Sequence, residues 1–481
     1  MAKVYRFRSS KYLLCEPYRE LERQTIYFSS PEQLNDPMEG FRDIVWCGDN
    51  IVWANLLKHY AFCLHQAYLF FKIMGQDERL GSEHILTLGR WDDLPTPQLS
   101  ELFDETWKKS HDDLCLAEFC DRMATQKRKV RRDELLFYLR YIHLEVFSRI
   151  QQVWVEHGLA PEEELTQLVS EFRKLKPTAS KVFELVIQAE AEIESSSEVM
   201  FFASHQVSEG QRLSHEYHFR DAFSETLKRN QKFLLLDFPQ YYVDQLDKLL
   251  WPEWYAACFS KSFHSPSMWS HYGDGHKGVC LIYDTSESTI GGSLDICQLT
   301  SRQFNSGGPS KEHQEYSPMH LSDISYSARP VTIDFFMNIG VLPLPVLMNF
   351  WFTDDGGSIS RCATHLVTDS GEDSWRERHW ADFKSDITTK SKDWEYEQES
   401  RLILHGLLDL ALDKRRRTLS YKFESLIGII FGIRTSDESK VRIIDIVQRK
   451  CLENDRTDFG FFQAYYSPKH QDIRKFRLEV F

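Results

Sequence analysis

The stretch SKDWEYEQESRLIL, residues 391–404, alternates charged and apolar side chains. Successive side chains of a β-strand point to opposite faces. A strand here has one charged face, formed by Glu395, Glu397, Glu399 and Arg401. Its other face covers a core with Trp394, Tyr396, Leu402 and Leu404. A helix would instead place Glu395 and Glu399 one turn apart, where their charges repel. The pattern therefore predicts a strand.

Three carboxylates on the same face of a strand repel one another. A chain tolerates this repulsion at a solvent-exposed surface or at a functional site. One interpretation is a solvated strand face balanced by Arg401. The other is one wall of a polar pocket, in which Arg401 keeps a neighbouring glutamate ionised. A carboxylate at a strand end can stabilise a positively charged sugar centre or act as a base. Glu397 and Glu399 are therefore candidate catalytic residues, and Arg401 is a candidate substrate-binding residue.

Strand patterns extend on both sides of this stretch, in KVYRFRS (3–9), WYAACFS (254–260), KGVCLIYD (277–284) and SLIGIIFGI (425–433). In the middle of the chain, apolar residues recur every three or four positions, which is typical of amphipathic helices. Polar stretches at 300–318 and 353–373 predict long loops. We therefore predict an α+β fold. Its mixed, mostly antiparallel sheet core spans residues 1–50 and 251–481, and a large all-α insertion spans 51–250.

Composition narrows the function classes. The net charge of −14 disfavours a general nucleic-acid coat. Nucleic acid stays open as a partner because of two basic runs, KRKVRR (127–132) and KRRR (414–417). The ten cysteines show no CxxC spacing, so no zinc site is indicated. The sequence shows neither an apolar leader nor an apolar run long enough to span a membrane. We therefore expect a cytoplasmic protein that has no membrane partner.

Two stretches near the start carry candidate substrate-binding residues. In VYRFRS, Tyr5 and Arg6 lie on a first strand, where an arginine suits phosphate or carboxylate. An exposed edge strand is the competing interpretation. In YFSSPEQLNDPMEG (27–40), the hydroxyls and polar groups that could orient a ribose or amide are Ser29, Ser30, Asn35 and Asp36. Ordinary turn chemistry explains these residues as well.

The stretch MWSHYGDGHKGV (268–279) gathers aromatic and imidazole side chains in a glycine-containing turn. Stacking faces with a few polar groups suit a nucleobase or nicotinamide. The candidate binding residues here are Trp269, Ser270, His271 and Tyr272. The competing interpretation is a core tryptophan with a hydrogen-bonded histidine. Because no carboxylate or cysteine stands at a metal-ligand spacing, no metal site is predicted.

Taken in order, YRFRS, YFSSPEQLNDPMEG, CFS, MWSHYGDGHKGVCLIYD, DWEYEQESRLI and IGIIFG resemble the bacterial domain of unknown function family number 2971. That family's pattern includes FSSP…NDP.E near the start and K...W.YE.E.R late in the chain. The resemblance covers the first fifty residues and roughly 250 to 440. It implies a fold unit and no activity. The long insertion and Gly273, where the family often has alanine, depart from the pattern.

A weaker resemblance is to ADP-ribosyltransferases. These enzymes hold NAD with a basic residue on a first strand, a hydroxyl or aromatic motif in the middle and a late Glu-x-Glu, which Glu397-Gln398-Glu399 matches. The resemblance implies an ADP-ribosyltransferase-like sheet and NAD as substrate. It implies that Glu399 stabilises the ribosyl cation and activates the acceptor, supported by Glu397. Arg6 would hold the phosphates, and Tyr272 or Trp269 would stack on nicotinamide.

The leading hypothesis is thus an NAD-using ADP-ribosyltransferase or NAD glycohydrolase-like bacterial effector, a toxin in anti-phage defence. Its partners are a small-molecule nucleotide and a protein that binds the helical insertion. The second hypothesis is a non-enzymatic ligand-sensing or protein-interaction module. The third is a metal-dependent nucleic-acid-processing enzyme that uses Glu395, Glu397 and Glu399 to hold magnesium.

Overall fold

The computed structural model describes residues 3–36, 38–39, 42–75, 77–126, 128–161, 179–192, 196–219, 225–288, 291–303, 311–327, 332–366, 371–405 and 414–480. Long helices and a large sheet occur in the same chain, so the predicted α+β class is confirmed. Within these ranges, no helix has both the length and the apolar character needed to cross a membrane.

The strands are numbered along the chain. They are β1 (Lys3–Arg8), β2 (Thr25–Tyr27), β3 (Asp43–Trp46), β4 (Val130–Arg131), β5 (Trp254–Ser260), β6 (Val279–Asp284), β7 (Ser286–Ser288), β8 (Gly291–Gln303), β9 (Lys311–Asp323), β10 (Ser325–Ser327), β11 (Thr332–Asp334), β12 (Thr389–Ser391), β13 (Glu399–His405), β14 (Thr418–Ser420), β15 (Leu426–Phe431), β16 (Gly460–Ser467) and β17 (Asp472–Arg477).

The α-helices are Ser10–Leu14, Glu20–Arg23, Asn50–Met74, Pro97–Asp113, Leu116–Gln126, Arg132–Glu156, Ala179–Glu192, Ser196–Phe219, Glu225–Lys232, Phe238–Gln245, Asp247–Leu250, Pro266–His271, Phe335–Asn338, Leu344–Leu347, Gly371–Ile387 and Asp437–Glu453. Short 3-10 helices span Pro31–Gln33, Ser82–His84, Arg361–Leu366, Lys392–Glu397, Lys414–Arg417 and Phe423–Ser425. The π-helical segments are Phe233–Asp237 and Met348–Phe352.

The main sheet has ten strands in the order β17-β16-β15-β6-β1-β5-β13-β9-β8-β7. The pair β15–β16 is parallel, and the other neighbouring strands are antiparallel. This confirms the predicted mixed, mostly antiparallel sheet. The strands form because alternate residues pack on opposite faces: Val4 of β1 belongs to one hydrophobic cluster and Phe7 to another.

The sheet is weakly joined at one place. Six residue pairs connect β1 to β6 and seven connect β5 to β13, but Tyr5–Ser260 alone connects β1 to β5. Farther along β5, Ser29 pairs with Ala256 through two backbone hydrogen bonds, of 2.9 and 2.8 Å. The two strands therefore part beside Tyr5–Ser260 and leave an opening in the sheet, which becomes important for the candidate site.

The chain divides into two compact units. The first comprises residues 1–41, 252–331 and 384–481 and contains the ten-stranded sheet. The second comprises 42–251 and 332–383, and it contains long helices and a three-stranded sheet in the order β11-β3-β4. The predicted division was 1–50 plus 251–481 against 51–250. It differs most at residues 332–383, which group with the helical unit, and that unit carries strands as well.

Two local predictions are corrected. The strand predicted over 391–404 begins only at Glu399, because Lys392–Glu397 forms a 3-10 helix and Gln398 has a left-handed backbone with φ of 45°. The alternation therefore breaks, and Glu395 is exposed. The predicted loop at 300–318 instead continues β8 to residue 303 and β9 from residue 311. Residues 304–310 lie outside the described part, as do 367–370 of the other predicted loop.

Candidate functional site

A cavity of about 920 Å³ lies beside the junction of β1 and β5. Its lining includes Arg6 of β1, Cys258 of β5 and both Glu399 and Arg401 of β13. Tyr5, Ser260 and Glu399 lie in one row across the three strands, so Arg6, one residue beyond Tyr5, belongs to the opposite face of its strand. Arg6 and Glu399 line the same cavity because the sheet is open beside the Tyr5–Ser260 pair.

Arg401 forms the centre of a buried ion network and is 0% exposed. Its guanidinium donates to both oxygens of Glu399, with Nε at 2.7 Å and Nη2 at 3.1 Å. It also donates to both oxygens of Glu39, at 2.7 and 2.8 Å, and to the carbonyl oxygen of Ile387 at 3.1 Å. All five N–H groups of Arg401 are thus satisfied. Two forked ion pairs hold both glutamates in fixed positions.

Lys390 joins the three carboxylates of this network. Its Nζ lies 2.8 Å from Glu397, 3.3 Å from Glu399 and 3.7 Å from Glu39. Burial favours the neutral amine, but the surrounding carboxylates outweigh burial and raise the pKa of Lys390 above its usual value. The network therefore contains three carboxylates and two fixed cations, and has one negative charge in excess when all five groups are ionised.

Glu399 is held as a carboxylate. Burial alone would raise its pKa, but the charge and hydrogen bonds of Arg401, together with the charge of Lys390, lower the pKa to about 2. Its backbone N–H donates to the hydroxyl of Tyr326 at 2.8 Å. The first residue of β13 is therefore fixed through both its side chain and its backbone, and stays negative at neutral pH.

Glu397 has a different environment, although it is only two residues away and equally buried. Burial raises its pKa above the usual value, and the ammonium of Lys390 and the hydroxyl of Tyr272 only partly oppose that effect. The Tyr272 hydroxyl donates to Oε1 at 2.5 Å. Burial and the negative charge of Glu397 in turn raise the pKa of Tyr272. Of the two carboxylates, Glu397 is therefore the one that takes up a proton more readily.

The backbone turn between the two glutamates has its own support. The carbonyl oxygen of Glu397 accepts a hydrogen bond of 2.6 Å from the hydroxyl of Ser260, and the carbonyl of Gln398 accepts one of 2.9 Å from the N–H of Lys261. These contacts fix the left-handed Gln398 between helix and strand. As a result, both carboxylates face Lys390, although their backbones belong to different elements.

Arg6 supplies the cationic part of the cavity. It is 7% exposed, and its side chain donates one hydrogen bond, of 3.3 Å, to the carbonyl oxygen of Tyr27. Its guanidinium also lies 5.8 Å from the centre of the Phe259 ring. Among the described residues, no carboxylate lies within ion-pair distance of Arg6. Burial and the nearby charge of Arg8 lower its pKa. Arg8, in contrast, is neutralised by Glu20 at 2.8 Å.

The remaining candidate residues divide into two groups. Those that line the cavity are Tyr5, Ser29, Asn35, His271 and Tyr272. Four others lie elsewhere. Ser30 precedes the 3-10 helix Pro31–Gln33, and its N–H donates to the side chain of Gln33. Ser270 is exposed on the helix Pro266–His271.

Trp269 does not stack in the cavity. It is 0% exposed, donates from Nε1 to the carbonyl of Phe263 at 2.8 Å, and packs edge-on against Phe7. The competing interpretation, a core tryptophan, is therefore the right one, because the indole fills the hydrophobic cluster on one side of the sheet.

Asp36 is a turn residue. Its carboxylate accepts from the N–H of Met38 at 2.9 Å, and its carbonyl accepts from the N–H of Glu39 at 2.9 Å. Asp36 thereby positions Glu39, the second partner of Arg401. Pro37, between them, lies outside the described residues.

Two members of the network, Glu39 and Lys390, were missing from the predicted site. Each has one signal in the sequence, since Glu39 is the last letter of NDP.E and Lys390 is the first letter of K...W.YE.E.R. Composition and alternation gave no reason to choose these residues, because their partners are distant along the chain: Glu39 and Arg401 are 362 residues apart.

The described residues offer no set of magnesium ligands for the nucleic-acid-processing hypothesis. They include no group of three or more His, Cys, Asp or Glu side chains arranged to hold a metal ion. In the first basic run, Arg131 pairs with Asp43 and Arg132 with Asp247. Arg417, buried, lies 4.5 Å from the centre of the Tyr255 ring. These contacts weigh against the nucleic-acid-processing hypothesis.

No protein-family model matches the chain, and neither a curated protein nor a solved structure matches it. The two motif resemblances therefore stay predictions, and the functional argument depends on the geometry of the cavity.

Proposed function

We propose that the protein is an NAD-using ADP-ribosyltransferase or NAD glycohydrolase, and that the cavity binds NAD as substrate. One observation carries the proposal. Ionised Glu399 and Arg6, which lacks a carboxylate partner among the described residues, line one cavity of about 920 Å³. A volume in this range suits a ligand of nucleotide size.

Glu399 acts on the ribose. When the bond between C1′ of the ribose and the nicotinamide nitrogen breaks, the electron pair leaves with nicotinamide and positive charge develops on the sugar. A carboxylate held by Arg401 and Lys390 keeps its negative charge and its position during that step. Fixed charge of this kind stabilises the transition state without reorganisation.

Glu397 receives the proton of the acceptor. The acceptor oxygen, from water in a glycohydrolase or from another molecule in a transferase, forms the new bond to C1′ and loses a proton. Because burial raises the pKa of Glu397, its carboxylate is the better base of the two. The Tyr272 hydroxyl orients Oε1 through its 2.5 Å hydrogen bond.

Arg6 binds the diphosphate. A guanidinium that is buried without a carboxylate partner gains most from an anion that brings its own charge. The cavity therefore has a cationic wall at Arg6 and an anionic wall at Glu397 and Glu399. This distribution suits a substrate with negative phosphates at its centre and positive charge at the reacting ribose.

A second candidate is a ligand-sensing module that binds the nucleotide without cleaving it. One observation favours it: each carboxylate oxygen of Glu397 and Glu399 already accepts a hydrogen bond from Tyr272, Lys390 or Arg401. The resemblance to the bacterial family extends either proposal to an effector in anti-phage defence, with a protein partner on the helical unit. A cytoplasmic location is part of the same proposal.

The test is NAD consumption by the purified full chain. Wild type, Glu399→Gln and the matched control Glu395→Gln are incubated with NAD, and nicotinamide and ADP-ribose are quantified by mass spectrometry. We expect wild type and the exposed Glu395 variant to release nicotinamide at similar rates. The Glu399 variant should be at least 100-fold slower. If folded wild type binds NAD but releases no nicotinamide, the enzyme hypothesis is rejected in favour of the ligand-sensing module.

A further inference from the structure

Two aromatic side chains outside the ion network line the same cavity. The rings of Tyr12 and Tyr18 meet edge-on, with centroids 4.8 Å apart and an interplanar angle of 69°. Tyr12 is 36% exposed and Tyr18 is 42% exposed. Tyrosine rings that stay this uncovered on a cavity wall offer apolar area on which a planar ligand can stack.

The tyrosine pair is fixed by the strand that carries Arg6. The guanidinium of Arg8 lies 4.6 Å from the centre of the Tyr12 ring, and Nε of Arg8 donates to Glu20 at 2.8 Å. Tyr12 stands on the helix Ser10–Leu14, whose first turn is capped by the side chain of Ser9. Arg8 is two residues beyond Arg6 on β1, so the aromatic wall begins where the cationic wall ends.

We propose that Tyr12 and Tyr18 form a subsite for a purine base, which in NAD is adenine. The inference deepens the proposed function and rests on it for the identity of the dinucleotide. Three chemistries follow one another in the cavity: the carboxylate of Glu399 on β13, the guanidinium of Arg6 on β1, which has no carboxylate partner among the described residues, and the tyrosines that follow β1. A dinucleotide presents its reacting ribose, its diphosphate and its second base in the same order.

The subsite determines which substrates the enzyme accepts. Stacking of one base on an aromatic side chain changes affinity by roughly 5- to 150-fold. Nicotinamide mononucleotide has the reacting bond and one phosphate but no purine, so it leaves the tyrosine pair empty. Stacking on Tyr12 and Tyr18 therefore favours the dinucleotide, in addition to the contact of Arg6 with the diphosphate, and the glutamates do not contribute to this preference.

The experiment compares NAD with nicotinamide mononucleotide as substrates of the full chain. The variants are Tyr18→Ala, Tyr18→Phe and the control Tyr465→Ala, which removes a tyrosine of similar exposure that is not part of the cavity lining. For Tyr18→Ala we expect the KM for NAD to rise about tenfold with kcat within about twofold. Its KM for the mononucleotide should stay constant. Tyr18→Phe and Tyr465→Ala should behave as wild type.

The outcomes separate this inference from the proposed function. If Tyr18→Ala changes the KM for both substrates equally, or leaves the KM for NAD unchanged, the base subsite is rejected. The proposed enzymatic activity is not affected by that result. If wild type releases no nicotinamide, binding of AMP is measured by calorimetry. AMP affinity that falls about tenfold in Tyr18→Ala and not in Tyr465→Ala then supports the base subsite without the enzyme. Failure of wild type to bind AMP rejects the subsite.

Discussion

Arg401 and Glu39 are joined by a forked ion pair, with Nη1 2.7 Å from Oε1 and Nη2 2.8 Å from Oε2, although 362 residues separate them. The pair connects the turn after the first strands to the centre of β13. Because Glu399 occupies the remaining side of the same guanidinium, the geometry of the candidate catalytic carboxylate depends on a residue from the other end of the chain.

Replacing Glu39 with Gln should destabilise the protein strongly. It leaves the Arg401 guanidinium buried with one carboxylate fewer, and loss of one partner in a buried ion pair costs about 3–5 kcal/mol. The free energy of unfolding is measured by urea denaturation. Glu395→Gln is the control, since this exposed side chain should change stability by less than about 0.5 kcal/mol. Similar results for the two variants would show that Arg401 does not need Glu39.

Stability should fall as the pH drops below about 4.5. The pKa of Glu399 is lowered in the folded protein to about 2, so its ionised form stabilises the fold above the unfolded-state pKa, and this contribution is lost as the pH falls toward 2. The shift corresponds to on the order of 3 kcal/mol. Urea denaturation between pH 3 and 7 should give a steeper curve for wild type than for Glu399→Gln. Parallel curves would contradict the assigned pKa.

Arg6→Met should separate binding from stability. Removing a buried guanidinium that has no carboxylate partner among the described residues should leave the free energy of unfolding unchanged or raise it by about 1 kcal/mol. The same change should weaken binding of ADP-ribose at least tenfold, as measured by calorimetry. Arg474→Met, at a partly exposed arginine that pairs with Asp472, is the control. A variant that binds ADP-ribose normally would remove Arg6 from the site.

Tyr272→Phe should shift the pH profile of NAD consumption. The lost hydroxyl lowers the pKa of Glu397 in the wild type, so without it that pKa rises and more of the carboxylate is protonated at a given pH. The acidic limb of the rate profile should therefore move to higher pH. Tyr396→Phe is the matched control, because the hydroxyl of Tyr396 bonds to His271 and not to Glu397. Equal shifts in both variants would argue against Glu397 as the base.

Alternation and composition were sufficient to predict the fold class and the main strands. The runs VYRFR, WYAACFS and VCLIYD carry apolar residues that pack on the two faces of one sheet, which is a local property of each strand. The strand prediction for residues 391–404 was partly wrong because one residue with a left-handed backbone, Gln398, ends the alternation of side chains. Nothing in the side-chain pattern signals that backbone change.

The site was predicted incompletely for a different reason. Glu397, Glu399 and Arg401 share a short motif, so their proximity followed from spacing. Lys390 reaches the glutamates only because the chain turns between β12 and β13. Trp269 looked like a stacking residue because the sequence shows its chemistry and not its burial. Which side of a sheet an aromatic residue occupies is decided by tertiary packing.

The single residue pair between Tyr5 and Ser260 has a mechanical consequence. The resistance of a β-sheet to separation of two strands grows with the number of backbone pairs that join them. In the main sheet this number is lowest between β1 and β5, beside the cavity. Separating β1 from β5 would break one residue pair, whereas separating β1 from β6 would break six and separating β5 from β13 would break seven. The ladder with the fewest residue pairs thus lies beside the cavity, and the strands on either side, which carry Arg6 and Glu399, each keep a long ladder with their other neighbour.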